Sequence, residues 1–276
     1  MTESWFAGVT AGDDEAAAAA IRSGSASAPA DWPTKAVESG FAADADEYYE
    51  RLHEATLRAA REDVRAAELS DDQQLIHAVR AMDDCESTAN ELAERVAEWA
   101  GTHYDDAGTG IEGARRVAER DPETPVEARV VGLAGRVAGL ADEADGLRQY
   151  IEQTAPSVAP NLAALAGPVL AARLIALAGG LESLAKQPSG TVQVLGAEDA
   201  LFAHLQGGAP SPKHGVIYTH EAVRNTPKAD RGSAARALAG KLSIAARVDH
   251  YSGDLRPKLE RELRERIEAI RSRGER

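Results

Sequence analysis

Residues 156–253 read PSVAPNLAALAGPVLAARLIALAGGLESLAKQPSGTVQVLGAEDALFAHLQGGAPSPKHGVIYTHEAVRNTPKADRGSAARALAGKLSIAARVDHYSG, and the reading of this stretch decides the fold. Between Pro168 and Lys186 the apolar residues Val169, Leu170, Leu174, Ile175, Leu177, Leu181 and Leu184 fall at helical spacing, with Ala and Gly between them that permit close packing. Gly196, Ala197, Glu198 and Asp199 open another helix, whose apolar residues are Leu201, Phe202 and Leu205. Its first turn offers backbone N–H groups that suit a phosphate, while Glu198 and Asp199 also complement the helix dipole. Gly207 and Gly208 end that helix, and Pro210 and Pro212 keep the following chain in a loop that presents Lys213 and His214. Such a pair suits a phosphate or a base edge, and equally suits plain solvent. Arg224, Lys228, Arg231, Arg236, Lys241 and Arg247 follow, opposed only by Glu221, Asp230 and Asp249. On a helix from about Ser233, Arg236 and Lys241 do not share a face perfectly, so a basic patch rather than a stripe is expected, and one of the two is a candidate for a structural role.

Several blocks stand here in one order: Ala159-Pro160-Asn161-Leu162, the small-residue helix over 167–180, Gly196-Ala197-Glu198, Pro212-Lys213-His214-Gly215-Val216-Ile217-Tyr218, and Arg231-Gly232 leading into 235–241. Together they resemble the Nop-domain family in its archaeal form. The resemblance implies a scaffold of box C/D guide-RNA particles: a Nop domain that grips a kink-turn RNA already held by a small ribosomal-protein-like partner, and another part of the chain that carries the methyltransferase fibrillarin. The implied outcome is guided 2′-O-methylation of ribosomal RNA, with S-adenosylmethionine on fibrillarin and neither a cofactor nor a catalytic residue on this chain. Resemblance and charge together nominate Gly196, Ala197, Glu198, Lys213, His214, Arg224, Arg231, Arg236, Lys241 and Arg247 for RNA, and the helix after Gly167 for the protein partner. Relatives usually carry lysine at the place of Asp199, arginine at that of Ala203 and lysine at that of Ser233, so binding here leans more on shape and on the partner. Two alternatives stand beside this reading, a splicing-type Nop protein and a coiled-coil adaptor with weakened RNA binding.

The 276 residues are 43% hydrophobic but only 4% aromatic, which favours a mainly α protein. The net charge of −14 is unevenly divided: residues 1–155 hold 14 Lys and Arg against 33 Asp and Glu, whereas residues 156–276 hold 17 against 12. One basic half is the asymmetry expected when a single face meets nucleic acid. The excess of carboxylates, with more Arg than Lys, also resembles proteins of a salt-rich cytoplasm. There a Debye length of about 3 Å at molar salt would demand close, shape-matched contacts. The single cysteine, Cys85, excludes an internal disulfide. No early apolar run reaches the roughly 18 residues of a membrane span and Met-Thr-Glu-Ser lacks a basic flank, so a cytoplasmic protein without a membrane partner is expected.

Three domains are expected: a reduced N-terminal domain over 1–66, fibrillarin-binding by resemblance and α/β if Trp5-Phe6-Ala7-Gly8-Val9 forms a strand; an arm over 67–155; and an all-helical Nop domain over 156–276. In the first, a helix over 13–22 starts at Asp13 or Asp14, and a longer one follows Asp44 with Tyr49, Leu52, Leu57, Ala60 and Val64 on its apolar face. In the arm, Leu75, Ala78, Met82, Cys85, Ala89, Leu92, Val96 and Trp99 alternate steps of three and four, as do Val126, Val130, Leu133, Val137, Leu140, Ala144, Leu147 and Ile151. Two such seams predict a long antiparallel coiled-coil hairpin. By resemblance the arm also pairs two copies into a homodimer, with Met82, Ala89, Leu92, Val96, Trp99, Val130, Leu133, Val137 and Leu140 as the dimerisation residues. Between the seams Gly108, Gly110 and Gly113 match a dinucleotide-binding glycine pattern, but no apolar strand precedes them and a flexible hairpin tip is expected instead. A charged terminal helix over 254–276 shows Leu255, Leu259, Leu263, Ile267 and Ile270 on one face. The histidines lack metal-ligand spacing, so no metal site is expected.

Overall fold

The computed structural model describes residues 4–24 and 29–274, and among these every regular element is helical. The chain forms two compact units, Met1–Ser70 and Asp71–Arg276.

The first unit holds α1 (Asp14–Ser23), α2 (Trp32–Glu38) and α3 (Ala45–Glu68). Each begins after an aspartate whose carboxylate accepts a hydrogen bond from an N–H of the first turn: Asp13 from Ala16, Asp31 from Thr34 and Asp44 from Glu47. Residues 5–9 make consecutive turns rather than the expected strand, with N–H of Ala7 donating to Ser4 O and N–H of Val9 to Phe6 O. The reason is aromatic packing. Trp5 and Phe6 join one cluster with Phe41 and Tyr48, in which Phe6 stacks on Phe41 at 4.9 Å and Trp5 Nε1 donates to Tyr48 Oη at 3.2 Å. A strand would send these neighbours to opposite faces. The same cluster turns α3 away from its expected face: Tyr48, Ala55 and Ala59 are buried, while Tyr49, Leu57 and Val64 are exposed.

The second unit begins with the arm, α4 (Asp71–Ala100), α5 (Gly110–Ala118) and α6 (Pro125–Val158). At 1.5 Å per residue α4 and α6 run about 45 and 50 Å. Thr124 Oγ1 accepts the Glu127 N–H while Glu127 accepts that of Glu123, so α6 starts on a reciprocal cap beside Pro125. The seam departs from strict heptads. Ala93, Ala100, Ala134 and Ala141 are buried where Leu92, Trp99, Leu133 and Leu140 were expected, and Trp99 keeps 39% of its surface exposed. Alanines at the centre let the helices approach closely, and the leucines close the flanks. The tip is a third helix and not a flexible turn. α5 packs on both long helices through Ala114 and Val117. The glycines permit it: Gly108 and Gly110 have positive φ, and a Cβ on Gly113 would lie 2.7 Å from the Gly108 carbonyl carbon.

The rest of the unit comprises α7 (Pro160–Ala166), α8 (Pro168–Ala178), α9 (Leu181–Lys186), α10 (Ser189–Val194), α11 (Glu198–Leu205), a 3-10 turn (Val216–Thr219), α12 (Glu221–Arg224), α13 (Arg231–Tyr251) and α14 (Lys258–Gly274). Arm and domain are one body because α6 runs unbroken through residue 155, and Leu75, Val79, Met82, Ile151 and Ala155 of the arm root share a cluster with Ala172 of α8. Asp72 of α4 also accepts the Leu181 N–H at the start of α9. α7 and α8 meet at 117° across Gly167, whose φ of +78° only glycine adopts readily. Both are apolar because they are buried, and no single described helix is long and apolar enough to cross a membrane.

α13 is the central post, packed against α7, α9, α10, α12 and α14. Ten of its residues are buried, among them Asp249. That carboxylate accepts three hydrogen bonds from α7: Asn161 N at 3.0 Å, Asn161 Nδ2 at 2.6 Å and Leu162 N at 2.8 Å. Asn161 in turn donates to Asp254 O and accepts the Arg256 N–H, which pins the chain between α13 and α14. The Ala-Pro-Asn-Leu block is thus one half of a buried clamp. On α14, Leu259, Leu263, Ile267 and Ile270 are buried as expected, whereas Leu255 precedes the helix and stays exposed. Asp249→Ala strands three buried donors, and is expected to lower the stability of the full chain by about 3 kcal/mol or more in urea unfolding. A loss below about 1 kcal/mol would show that the clamp is dispensable.

Candidate nucleic-acid interface

The surface named by the sequence is built on a staple. Gly215 N donates to Gln193 O at 2.9 Å, Val216 N to Leu195 O at 2.7 Å, and Gln193 Nε2 to Lys213 O at 2.7 Å. A Cβ at Gly215 would lie 1.9 Å from Leu195 O, so only glycine closes this junction. Everything from Gly196 to His214 is therefore an excursion closed at its base. Its helix α11 has no buried residue and exposes Phe202 and Leu205.

Beyond the staple, Ile217 is buried in the core and Tyr218 stands half-buried beside it. Tyr218 sits in a stack: the His214 ring lies 4.7 Å away at an interplanar angle of 22°, and the Arg231 guanidinium lies 5.4 Å from the Tyr218 ring centroid. Arg231 is held in place by Nε donating to Thr226 O at 3.1 Å. The stem of Lys213 runs along Gly232 at the start of α13 and its side chain is exposed. Burial, with the nearby charges of Arg231 and Lys213, holds the His214 pKa below its ordinary value against an opposing backbone hydrogen bond. A lowered pKa favours the neutral ring at pH 7, a flat surface with Arg231 and Lys213 nearby. A cleft of about 430 Å³ adjoins it, walled by residues 196–200 and Tyr218. Glu198 accepts the Gly196 N–H at 3.0 Å, which ties the first residue of α11 back to the turn before it.

Below the stack, His220 joins two elements. Its Nδ1 accepts the Ala222 N–H that opens α12, at 3.1 Å, and Nε2 donates to Leu165 O at 3.0 Å, which fixes the neutral tautomer. Burial lowers its pKa, opposed by the Leu165 carbonyl and by Glu221.

A family model described as snoRNA binding domain, fibrillarin, matches residues 118–271, more than half of the chain. The chain belongs to the Nop family. Among its relatives are an uncharacterized NOP5 family protein of Methanocaldococcus jannaschii, 33% identical over 85% of this chain and 66% of that protein, and nucleolar protein 56 of Saccharomyces cerevisiae, 33% identical over 70% and 47%. Nucleolar protein 58 of Schizosaccharomyces pombe is 35% identical over 66% of this chain and 43% of its own length. The chain thus spans two thirds of its archaeal relative and under half of the yeast ones. It also resembles a chain in the crystal structure of a fibrillarin/Nop5p complex, with a TM-score of 0.54 and 25% identity over 95% of this chain and 93% of that one.

Within the Nop domain the residues nominated by sequence divide into two groups. Gly196, Ala197, Glu198, Lys213, His214 and Arg231 come together around the stack, and Arg224 and Arg236 are exposed on α12 and α13. Lys241 and Arg247 are engaged by the fold: Lys241 pairs with Glu262 of α14, and Arg247 donates to Ala185 O and Gln187 O at the end of α9. Tyr218, the centre of the stack, was quoted in the motif but not nominated; its spacing of four from His214 was the available signal. The nominated dimerisation residues are also placed otherwise. Met82, Ala89, Val96, Val130 and Val137 are fully buried inside one chain, Leu92, Leu133 and Leu140 are half-buried against the same core, and only Trp99 is exposed. A seam that closes a hairpin is used up by it.

His214 and His220 both titrate below the ordinary histidine value of about 6.5, so the unfolded chain takes up their protons first as pH falls. Their contribution to stability is complete above about pH 6.5 and is lost progressively below it. The urea midpoint is expected to fall between about pH 7.5 and 5, and to fall less in His220→Asn, which keeps a cap without titrating. Equal declines in both proteins would remove His220 from this role.

Proposed function

We propose that this chain is the non-catalytic scaffold of a box C/D guide-RNA particle. Its Nop domain binds a kink-turn RNA together with the ribosomal-protein-like partner on that RNA, and the chain brings fibrillarin for 2′-O-methylation of ribosomal RNA. The observation that carries this reading is the His214–Tyr218–Arg231 stack with Lys213 beside it. Flat rings with two cations beside them offer base stacking and phosphate neutralisation at one place, the two elements of sequence-tolerant RNA binding. The stack lies inside the segment matched by the snoRNA-binding family model, and fibrillarin is the companion named for the similar solved structure. Asp199, Ala203 and Ser233 add no cation to this surface, which supports a contact governed by contour and by the partner protein. Two copies pairing along their arms would meet through outer faces, where Trp99 and Val126 are exposed, because the seam is occupied.

Lys213→Glu combined with Arg236→Glu reverses two exposed charges without touching the core. The double variant is expected to lose about a hundredfold or more in affinity for a kink-turn RNA carrying its binding protein, measured by gel shift at matched salt, while unfolding like the parent. Undiminished assembly would instead support the adaptor reading. Lys241→Gln is expected to leave RNA affinity within about threefold.

A further inference from the structure

A second cleft, of about 630 Å³, opens on another side of Tyr218, and it shares Gly196, Gly215 and Tyr218 with the cleft already described. Its apolar surface comes from Val79 of α4, Ala176 and Leu177 of α8, and Val216 of the 3-10 turn. Leu177 remains 44% exposed there, although α8 is otherwise a core helix. Arg80 and Arg173 also line it. Both are conspicuous by position. α4 carries eight acidic residues and two cations, Arg80 and Arg95, and Arg173 is the single charged residue of α8. Arg173 pairs with Asp83, which fixes its guanidinium at the rim, while Arg80 is exposed.

We propose that this cleft receives an unstacked base of the same RNA, with the exposed Arg80 against the adjoining phosphate and Arg173 held at the rim by Asp83, which also lines the cleft. The inference rests on the RNA-binding reading and extends it to the root of the arm. An apolar slot beside an aromatic ring takes the face of a base, and a cation at its lip neutralises the backbone that must follow. The volume lies in the range of pockets that enclose a ligand of nucleotide size. Continuity decides the occupant: a strand leaving His214 passes Tyr218 directly into the slot. A protein side chain would fill the apolar floor but would leave unexplained why an acidic helix sets one of its two arginines there.

The test uses the full chain, with kink-turn RNA carrying its binding protein and 4-thiouridine placed at successive positions. The expected result is photocrosslinking of one nucleotide position to peptides from residues 79–83 or 173–177. Crosslinks confined to residues 196–231, or blocking of the slot by the partner protein, would overturn the proposal. Arg80→Ala is expected to weaken binding roughly three- to tenfold and to reduce the logarithmic salt slope by about 0.7, the loss of one single-stranded phosphate contact. An unchanged slope overturns the cleft assignment alone when Lys213→Glu with Arg236→Glu still abolishes binding. Failure of that double variant to weaken binding overturns the underlying reading as well.

Discussion

The Asp249 carboxylate, buried in the middle of a helical domain, is the constraint on which the rest of the structure depends. It holds the start of α7 against the end of α13, and through Asn161 it also fixes the link into α14. A buried charge is tolerable only when its hydrogen bonds are complete, and here backbone and side-chain donors converge on both oxygens. Because α13 also contacts α9, α10 and α12, fixing its far end sets the direction in which its near end, Arg231 and Gly232, approaches the loop that carries Lys213 and His214. The candidate surface and the clamp are thus two ends of one helix.

Electrostatics separates along the same lines. Cations that meet a carboxylate or a helix end within the domain, Lys241 and Arg247, serve its packing. Those on the outer surface of α12 and α13 and in the loop remain available. Within the second unit most of the arm is acidic, α4 holding eight Asp and Glu against two Arg, whereas residues 156–276 hold 17 Lys and Arg against 12 Asp and Glu.

Much of this was legible in the sequence, and the failures have physical causes. Helix existence followed from periodicity, and the ordered motif blocks placed Lys213, His214 and Arg231 together. What failed was the choice of face. On α3, Tyr49, Leu57 and Val64 have the right spacing, but the aromatic cluster around Phe6 draws Tyr48 inward and turns the helix. In the arm Ala89, Val96, Val130 and Val137 are buried as expected, but Ala93 and Ala134 are buried where Leu92 and Leu133 were expected, since periodicity weights size and close helix approach favours the smallest side chain. The glycines of the tip were legible as breakers but not as a packing surface, because the contact between Gly108 and Gly113 exists only once α5 has folded back. Lys241 and Arg247 were beyond reach for a similar reason: their partners, Glu262 and Ala185, are distant in the chain.

The staple between residues 193–195 and 215–216 has a consequence for substitutions in the stretch it closes. Because the intervening stretch leaves and rejoins the domain at the same spot, and α11 has no buried residue, substitutions on α11 do not open a cavity in the core. Asp199 and Ala203 both lie on this helix. A change within α11 therefore meets solvent first, and the architecture beneath it only through the two ends of the excursion.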